Sequence, residues 1–199
     1  IAYKQKLGQV DLTVRANMTY SKNEIKEYDE ENSRYPYKMK YGFRVDQARG
    51  LIAEGLFKDY EEIRNRPSQG SGIMPGDIKY KDVNGDGVIN SDDEVPIGAT
   101  TRPNLIYGFG ISAQWKGFDV NVHFQGAGKS SFFIDGFTVY PFRDKSWGNI
   151  LTDVVGNYWS LGTNEDPNAK YPRLSYGNNS NNYRPSTYWL RNGSYMRLK

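Results

Sequence analysis

At 199 residues the chain is long enough for one domain with its own core, yet only 37% of it is hydrophobic and its mean hydropathy is −0.76. The 26 basic residues outnumber the 23 acidic ones by too little, and lie too scattered along the chain, to indicate a nucleic-acid partner. Without cysteine there is no disulfide framework, thiol nucleophile or thiolate metal site, the single His123 cannot supply a multi-histidine centre, and no run of 18 apolar residues exists to make a membrane helix.

Aromatic residues nevertheless reach 15%, with 16 Tyr against 9 Phe and 4 Trp. Tyrosine with abundant glycine and asparagine suits surfaces with one wet and one oily side. The chain opens on Ile-Ala-Tyr-Lys, which reads as an internal start, and residues 1–5 read as the tail of a truncated strand before a turn at Lys6-Leu7-Gly8. Within residues 9–22, Val10, Leu12, Val14, Ala16, Met18 and Tyr20 alternate with Asp11, Thr13, Arg15, Asn17, Thr19 and Ser21. This strict period of two predicts a strand with one oily and one polar face.

Residues 23–104 form a long connection. Asp59-Tyr60-Glu61-Glu62 is a capping box that predicts a short helix through Arg66, stopped by Pro67. Residues 82–93 fit a twelve-residue calcium loop position by position. Asp82, Asn84 and Asp86 supply side-chain oxygens at positions 1, 3 and 5, and Gly87 allows the sharp turn at 6. The Val88 carbonyl stands at 7, Asn90 at 9, and Asp93 at 12 where a helical EF-hand has Glu. With Ile89 at position 8, the loop resembles the dockerin-like variant. Calcium takes six to eight hard oxygen ligands in a pliable cage, which alternate residues of such a loop can present. No long amphipathic helices flank it, so the expected cation braces a loop rather than triggering a switch. The alternative is an acidic Asn-Gly/Asp-Gly turn that holds no ion.

Residues 105–126 predict a hairpin. Tyr107, Phe109, Ile111, Ala113 and Trp115 alternate with Gly108, Gly110, Ser112 and Gln114; after Lys116-Gly117, Phe118, Val120, Val122 and Phe124 alternate with Asp119, Asn121, His123 and Gln125. A tilted membrane strand needs about 9–11 residues, against about 5–6 for a soluble one, and these runs match the longer class. His123 is expected to face a lumen as a polar residue. Gly126-Ala127-Gly128-Lys129-Ser130 lacks the first glycine of a phosphate loop and follows a strand with no helix behind it. Residues 127–192 form a second long connection, with an Asn-rich stretch at 178–182 expected at a loop tip. Tyr140, Trp147, Tyr158, Trp159, Tyr171, Tyr176 and Trp189 in it either anchor the loop on itself or stack on sugars. Residues 193–199 begin another alternating strand. Short turns on one side and long loops on the other are the pattern of an outer-membrane barrel.

The run from Gly76 to Gly87, followed by Pro96-Ile97-Gly98, Pro103-Asn104, Tyr107–Trp115, Lys116–Val120 and Phe124-Gln125-Gly126, resembles the SusC/RagA family of TonB-dependent outer-membrane transporters of Bacteroidetes. Asn168–Leu174 and Trp189–Lys199 resemble that family's late barrel region, so the likeness spans Leu12 to Lys199. The resemblance implies an all-β fold, a segment of a transmembrane antiparallel barrel of about 22 strands with long extracellular loops. It further implies a nutrient importer rather than an enzyme, with outer-membrane lipid around it and a SusD-like surface lipoprotein as partner. Energy would come from the TonB system through parts absent from this chain, and the substrate would be a glycan or peptide. The competing reading is a soluble extracellular β-domain that binds carbohydrate or a protein, braced by one dockerin-like calcium loop. A glycoside hydrolase fragment fits poorly, because no carboxylate pair falls on adjacent strand ends.

Overall fold

The computed structural model describes residues 1–136, 139–143 and 149–199. Its largest element is a five-stranded antiparallel sheet built from β1 (Ala2–Leu7), β2 (Val10–Tyr20), β7 (Leu105–Trp115), β8 (Phe118–Gly128) and β11 (Tyr195–Leu198), in the order β1-β2-β7-β8-β11. The three central strands have 11 residues each, the length a tilted membrane strand requires. Leu7 pairs with Val10 across a two-residue turn at Gly8-Gln9, one position later than the sequence suggests. Trp115 pairs with Phe118 across Lys116-Gly117, whose φ angles of 45° and 87° define the primed hairpin turn that matches strand twist.

Register puts most oily residues on one face, with Ile106, Ala127 and Tyr195 in a row on the other. Val14, Ile111 and Val122 form one cross-strand row, Ala16, Phe109 and Phe124 the next. Phe109 stacks on Phe124 with centroids 5.1 Å apart, and Trp115 stacks on Phe118 at the hairpin end. Among the described residues no second sheet covers this face: Met18, Ile111, Phe118 and Val120 stay half or more exposed. An uncovered apolar sheet of this width is what lipid would cover.

The two long connections are not structureless. In the first lie β3 (Gln47–Gly50), β4 (Ala53–Leu56), the short helix α1 (Tyr60–Arg64), β5 (Ile78–Tyr80) and β6 (Val95–Thr100). Asp59 caps α1 by accepting from the Glu62 amide at 2.8 Å. The second holds β9 (Ser131–Phe133) and β10 (Leu190–Asn192), which pair antiparallel. Gly193 N–H donates to the Ser130 carbonyl at 2.8 Å, so this pair continues the β8–β11 ladder beyond the wall. β3–β6 likewise rises from β2 and β7, where the Asn104 side chain donates to the Ser21 carbonyl.

Above the wall, the two connections share one hydrophobic core. Leu51, Leu56, Ile78, Tyr80 and Ile89 from the first pack with Tyr140, Val154, Trp159, Tyr171 and Trp189 from the second. Backbone bonds stitch them together: Leu51 donates to Pro185, Thr187 to Leu51, Leu56 to Pro167 and Arg173 to Gly76. The loops therefore form a folded cap, not two independent excursions.

Candidate functional site

Asp77 organises the cap. Its carboxylate is buried, pairs with the Arg173 guanidinium whose Nε lies 2.7 Å away, and accepts from Arg173 Nη2 at 3.2 Å, Asn182 Nδ2 at 2.9 Å, Asn179 Nδ2 at 3.1 Å and the Met74 amide at 2.8 Å. Asn182 also accepts from the Ile78 amide, and its carbonyl receives the Trp189 indole N–H. Asn181 donates to the Ile78 carbonyl, while Tyr80 OH donates to Asn181. This corrects the reading of residues 178–182 as a polar tip: Asn181 and Asn182 are buried, and their amides satisfy backbone groups that hydrophobic packing alone would strand. Gly76, at φ +85°, lies flat against Trp159, where a Cβ would come within 2.2 Å of the ring.

The acidic loop hangs from this core at Ile89, which is buried and whose carbonyl accepts from Arg184. Asp82 accepts from the amides of Gly85 at 2.7 Å and Gly87 at 2.8 Å; Asn84 accepts from the Asp86 amide and Asp86 from the Val88 amide. The Asn84 amide donates to Asp86 Oδ2 at 2.9 Å, so the side chains at positions 3 and 5 meet over the glycine turn. Asp93 is placed differently. Its two oxygens accept from the amides of Val83 and Asn90, both at 2.8 Å, and it closes a capping box with Asn90. Among the described residues no three His, Cys, Asp or Glu side chains gather as a metal-holding group. Next to the loop, Lys38 pairs with Asp92, and Tyr37 OH donates to the Asp92 carbonyl. Burial pushes the Tyr37 phenol up, with Tyr35 and the carboxylates of Asp93, Asp92 and Asp82 adding to the shift.

Of the aromatic residues in the second connection, Tyr140, Trp159, Tyr171 and Trp189 are core anchors; Tyr140 meets Trp189 edge-on at 5.0 Å. Tyr158 is partly buried against the same core, Tyr176 is exposed, and Trp147 lies outside the described residues.

The polar face of the wall carries a second cluster. Arg15, Asn17, Ser112, Asn121 and His123 line one hollow whose floor is Gly108 and Gly110. A Cβ on Gly110 would lie 2.9 Å from His123 Nδ1, and one on Gly108 would lie 3.0 Å from Asn17 Oδ1. Two missing side chains thus make room for two polar ones.

No family model matches the sequence. A curated relative, TonB-dependent receptor P26 of Formosa agariphila, is 31% identical over 155 residues, which cover 75% of this chain and 14% of that protein. The chain belongs to the TonB-dependent receptors. Solved structures agree on the fold: the RagAB peptide transporter superposes with a TM-score of 0.68 at 17% identity, covering all of this chain and 20% of that one. The RagAB peptide importer in its closed-closed state gives 0.65 at 18% identity, covering the whole chain and 21% of the neighbour. The chain therefore spans about one seventh of the curated receptor and one fifth of the solved chains. As the resemblance to SusC/RagA implied, the fold is a segment of an antiparallel β-barrel, and its relatives are a receptor and transporters rather than enzymes.

Proposed function

We propose that this chain forms part of the wall and outer cap of an importer in a bacterial outer membrane, of the kind found in Bacteroidetes. Its loops stand outside the cell, a SusD-like lipoprotein sits over them, and the TonB system drives uptake of glycans or peptides through other parts of the protein. The observation that carries this reading is the two-faced sheet, whose 11-residue strands present an uncovered apolar face on one side and a mainly polar face on the other. A soluble β-domain would have to bury that apolar face.

The test is a pair of arginine substitutions in the full-length receptor. Ile111 and Ser112 are neighbours in mid-strand and point to opposite faces. Arginine at the bilayer midplane costs about 2–4 kcal/mol on a lipid-facing position, whereas lumen positions tolerate charge. Ile111→Arg should therefore lower the heat-modifiable, outer-membrane fraction, and Ser112→Arg should leave it near wild type. Equal tolerance of both would sink the membrane reading.

We further propose that the acidic loop takes calcium, with Asp82, Asn84, Asp86, the Val88 carbonyl and Asn90 as ligands and Asp93 completing the set. The tight turn of the loop supports this, since Asp82, Asn84 and Asp86 all fold their side-chain oxygens onto the Gly85–Val88 backbone, the kind of short loop whose alternate residues can present oxygens to calcium. Bound calcium would tie the loop to Ile89 and so to the cap. Added calcium should raise the melting temperature of the metal-stripped receptor, and Asp86→Asn should weaken that response. A receptor indifferent to calcium and chelator removes the cation from the account.

A further inference from the structure

Asparagine followed by glycine occurs twice in the chain, at Asn84-Gly85 in the acidic loop and at Asn192-Gly193 where β10 ends. This dipeptide is prone to deamidation, because without a Cβ the glycine nitrogen can reach the asparagine side-chain carbon and close a five-membered ring. Both asparagines make the same local turn. Asn84 Oδ1 accepts from the Asp86 amide at 3.0 Å, and Asn192 Oδ1 from the Ser194 amide at 2.9 Å, so each side chain is held over the residues that follow it. What differs is the acceptor of the glycine N–H. Gly193 donates to a neutral group, the Ser130 carbonyl, as an extension of the β-ladder, and a Cβ on it would lie 2.9 Å from Ser130 Oγ. Gly85 instead donates to a carboxylate oxygen, Asp82 Oδ1, at 2.7 Å. It is exposed, at φ +75°, with open space where a Cβ would stand.

We propose that Asn84 is a self-catalysed deamidation site with Asp82 as its base. Asp82 lies within the distance at which a general base takes a proton, and its other oxygen is fixed by the Gly87 amide at 2.8 Å. The proton leaves in the plane of the peptide bond between residues 84 and 85, and the nitrogen attacks Cγ from the face of that plane. The bond from Gly85 N to Asn84 Cγ forms, the Cγ–Nδ2 bond breaks, and ammonia departs carrying the proton that Asp82 took. Water then opens the ring at one carbonyl or the other, leaving aspartate or isoaspartate. Either product alters the loop. Asn84 Nδ2 donates to Asp86 Oδ2 at 2.9 Å, and an oxygen in its place sets like charges against each other. Isoaspartate also adds a carbon to the backbone, which shifts Gly85 and Gly87 relative to Asp82. Every reacting group belongs to residues 82–86, and the site depends neither on the membrane reading nor on bound calcium.

The experiment incubates the detergent-solubilised full-length receptor in heavy-oxygen water, with chelator in every arm to keep cations out of the loop. Tandem mass spectrometry of tryptic peptides then follows amide loss at Asn84 and at Asn192. The folded wild type should convert Asn84 roughly tenfold or more faster than Asn192, at the low end of what a positioned base contributes. In urea, where the positioned carboxylate is lost, the two rates should come together. Asp82→Asn keeps an oxygen for the Gly85 N–H but cannot take its proton, so Asn84 should slow several-fold while Asn192 is unchanged. The steady Asn192 rate and wild-type heat-modifiable gel mobility show that this variant is folded. Equal rates at the two asparagines in the folded receptor would overturn the proposal. So would an Asp82→Asn variant that converts Asn84 as fast as wild type, or an Asn84 that converts more slowly folded than in urea, since the loop would then shield the amide instead of attacking it.

Discussion

Asp77 gathers donors from residues about a hundred positions away, and that distance explains why nothing local in the sequence marks it. It sits in the Gly76–Gly87 run on which the family resemblance rests, yet its partners Arg173, Asn179 and Asn182 belong to a different loop. A carboxylate this deeply buried is tolerated because each oxygen is paired, and removing it leaves Arg173 without its counter-charge. Asp77→Ala should destabilise the cap by about 3–5 kcal/mol, the usual cost of breaking a buried pair from one side. Hydrogen exchange on the full-length receptor is the measurement. The Met74 and Ile78 amides should lose protection while the Ile111 amide, deep in the wall, keeps it. Undiminished protection at Ile78 would show that hydrophobic packing alone holds the loops together.

At the scale of elements, strands and loops differ sharply in how far sequence reveals them. β2, β7 and β8 alternate with a period of two because one face meets an apolar surrounding and the other a polar one, so most residues report their side, Ile106 and Ala127 on the polar face excepted. The cap has no such constant environment. Its short strands pair across irregular registers, as in β3–β6 between Gln47 and Arg49, and its core draws single residues from many turns. The acidic loop was legible at positions 82–93 because local spacing defines it, but the backbone bonds that hold Asp93 were not. Glycine positions in the wall also have reasons that only pairing shows. Gly126 lies opposite Tyr107, whose ring covers it, and a Cβ there would come within 2.3 Å of that ring and 2.6 Å of the Tyr195 carbonyl on β11. Gly126→Ala should therefore strain the β8–β11 ladder by about 1–3 kcal/mol, the range for overpacking. Its readout is faster exchange at Arg197 and a lower heat-modification temperature, with the β2–β7 amides unaffected; an unchanged temperature would mean the Tyr107 ring swings aside freely.

The molecule as a whole divides between two solvents, and its tyrosines divide with it. Tyr3, Tyr20 and Tyr107 of the wall sit along the oily face, while the buried tyrosines of the cap are packed for shape and two of them hydrogen-bond backbone carbonyls, Tyr80 to Asn181 and Tyr188 to Ala169, each at 2.7 Å. Burial makes ionisation of these cap phenols unfavourable. It pushes Tyr80, Tyr140 and Tyr188 well above the ordinary value near 10, and Tyr171 up to about 12, the last helped by its hydrogen bond to the Asp153 carboxylate. The sign of the linkage follows from the neutral form being the one the fold prefers. The stabilisation is complete below pH 10, where the unfolded phenols are still protonated. Above pH 10 the unfolded chain gains by releasing protons that the folded cap retains, so stability falls with rising pH and Tyr171's share is lost by about pH 12. The cap should thus open in alkali before the wall, whose hydrogen bonds are all inter-strand and whose apolar face stays in detergent or lipid. Absorbance of tyrosinate near 295 nm, followed together with hydrogen exchange at Ile78 and Ile111, would show a late tyrosine step coinciding with loss of protection at Ile78 alone. Complete tyrosine ionisation near pH 10 with the cap intact would mean that these phenols are open to water and that the shared core is looser than its packing indicates.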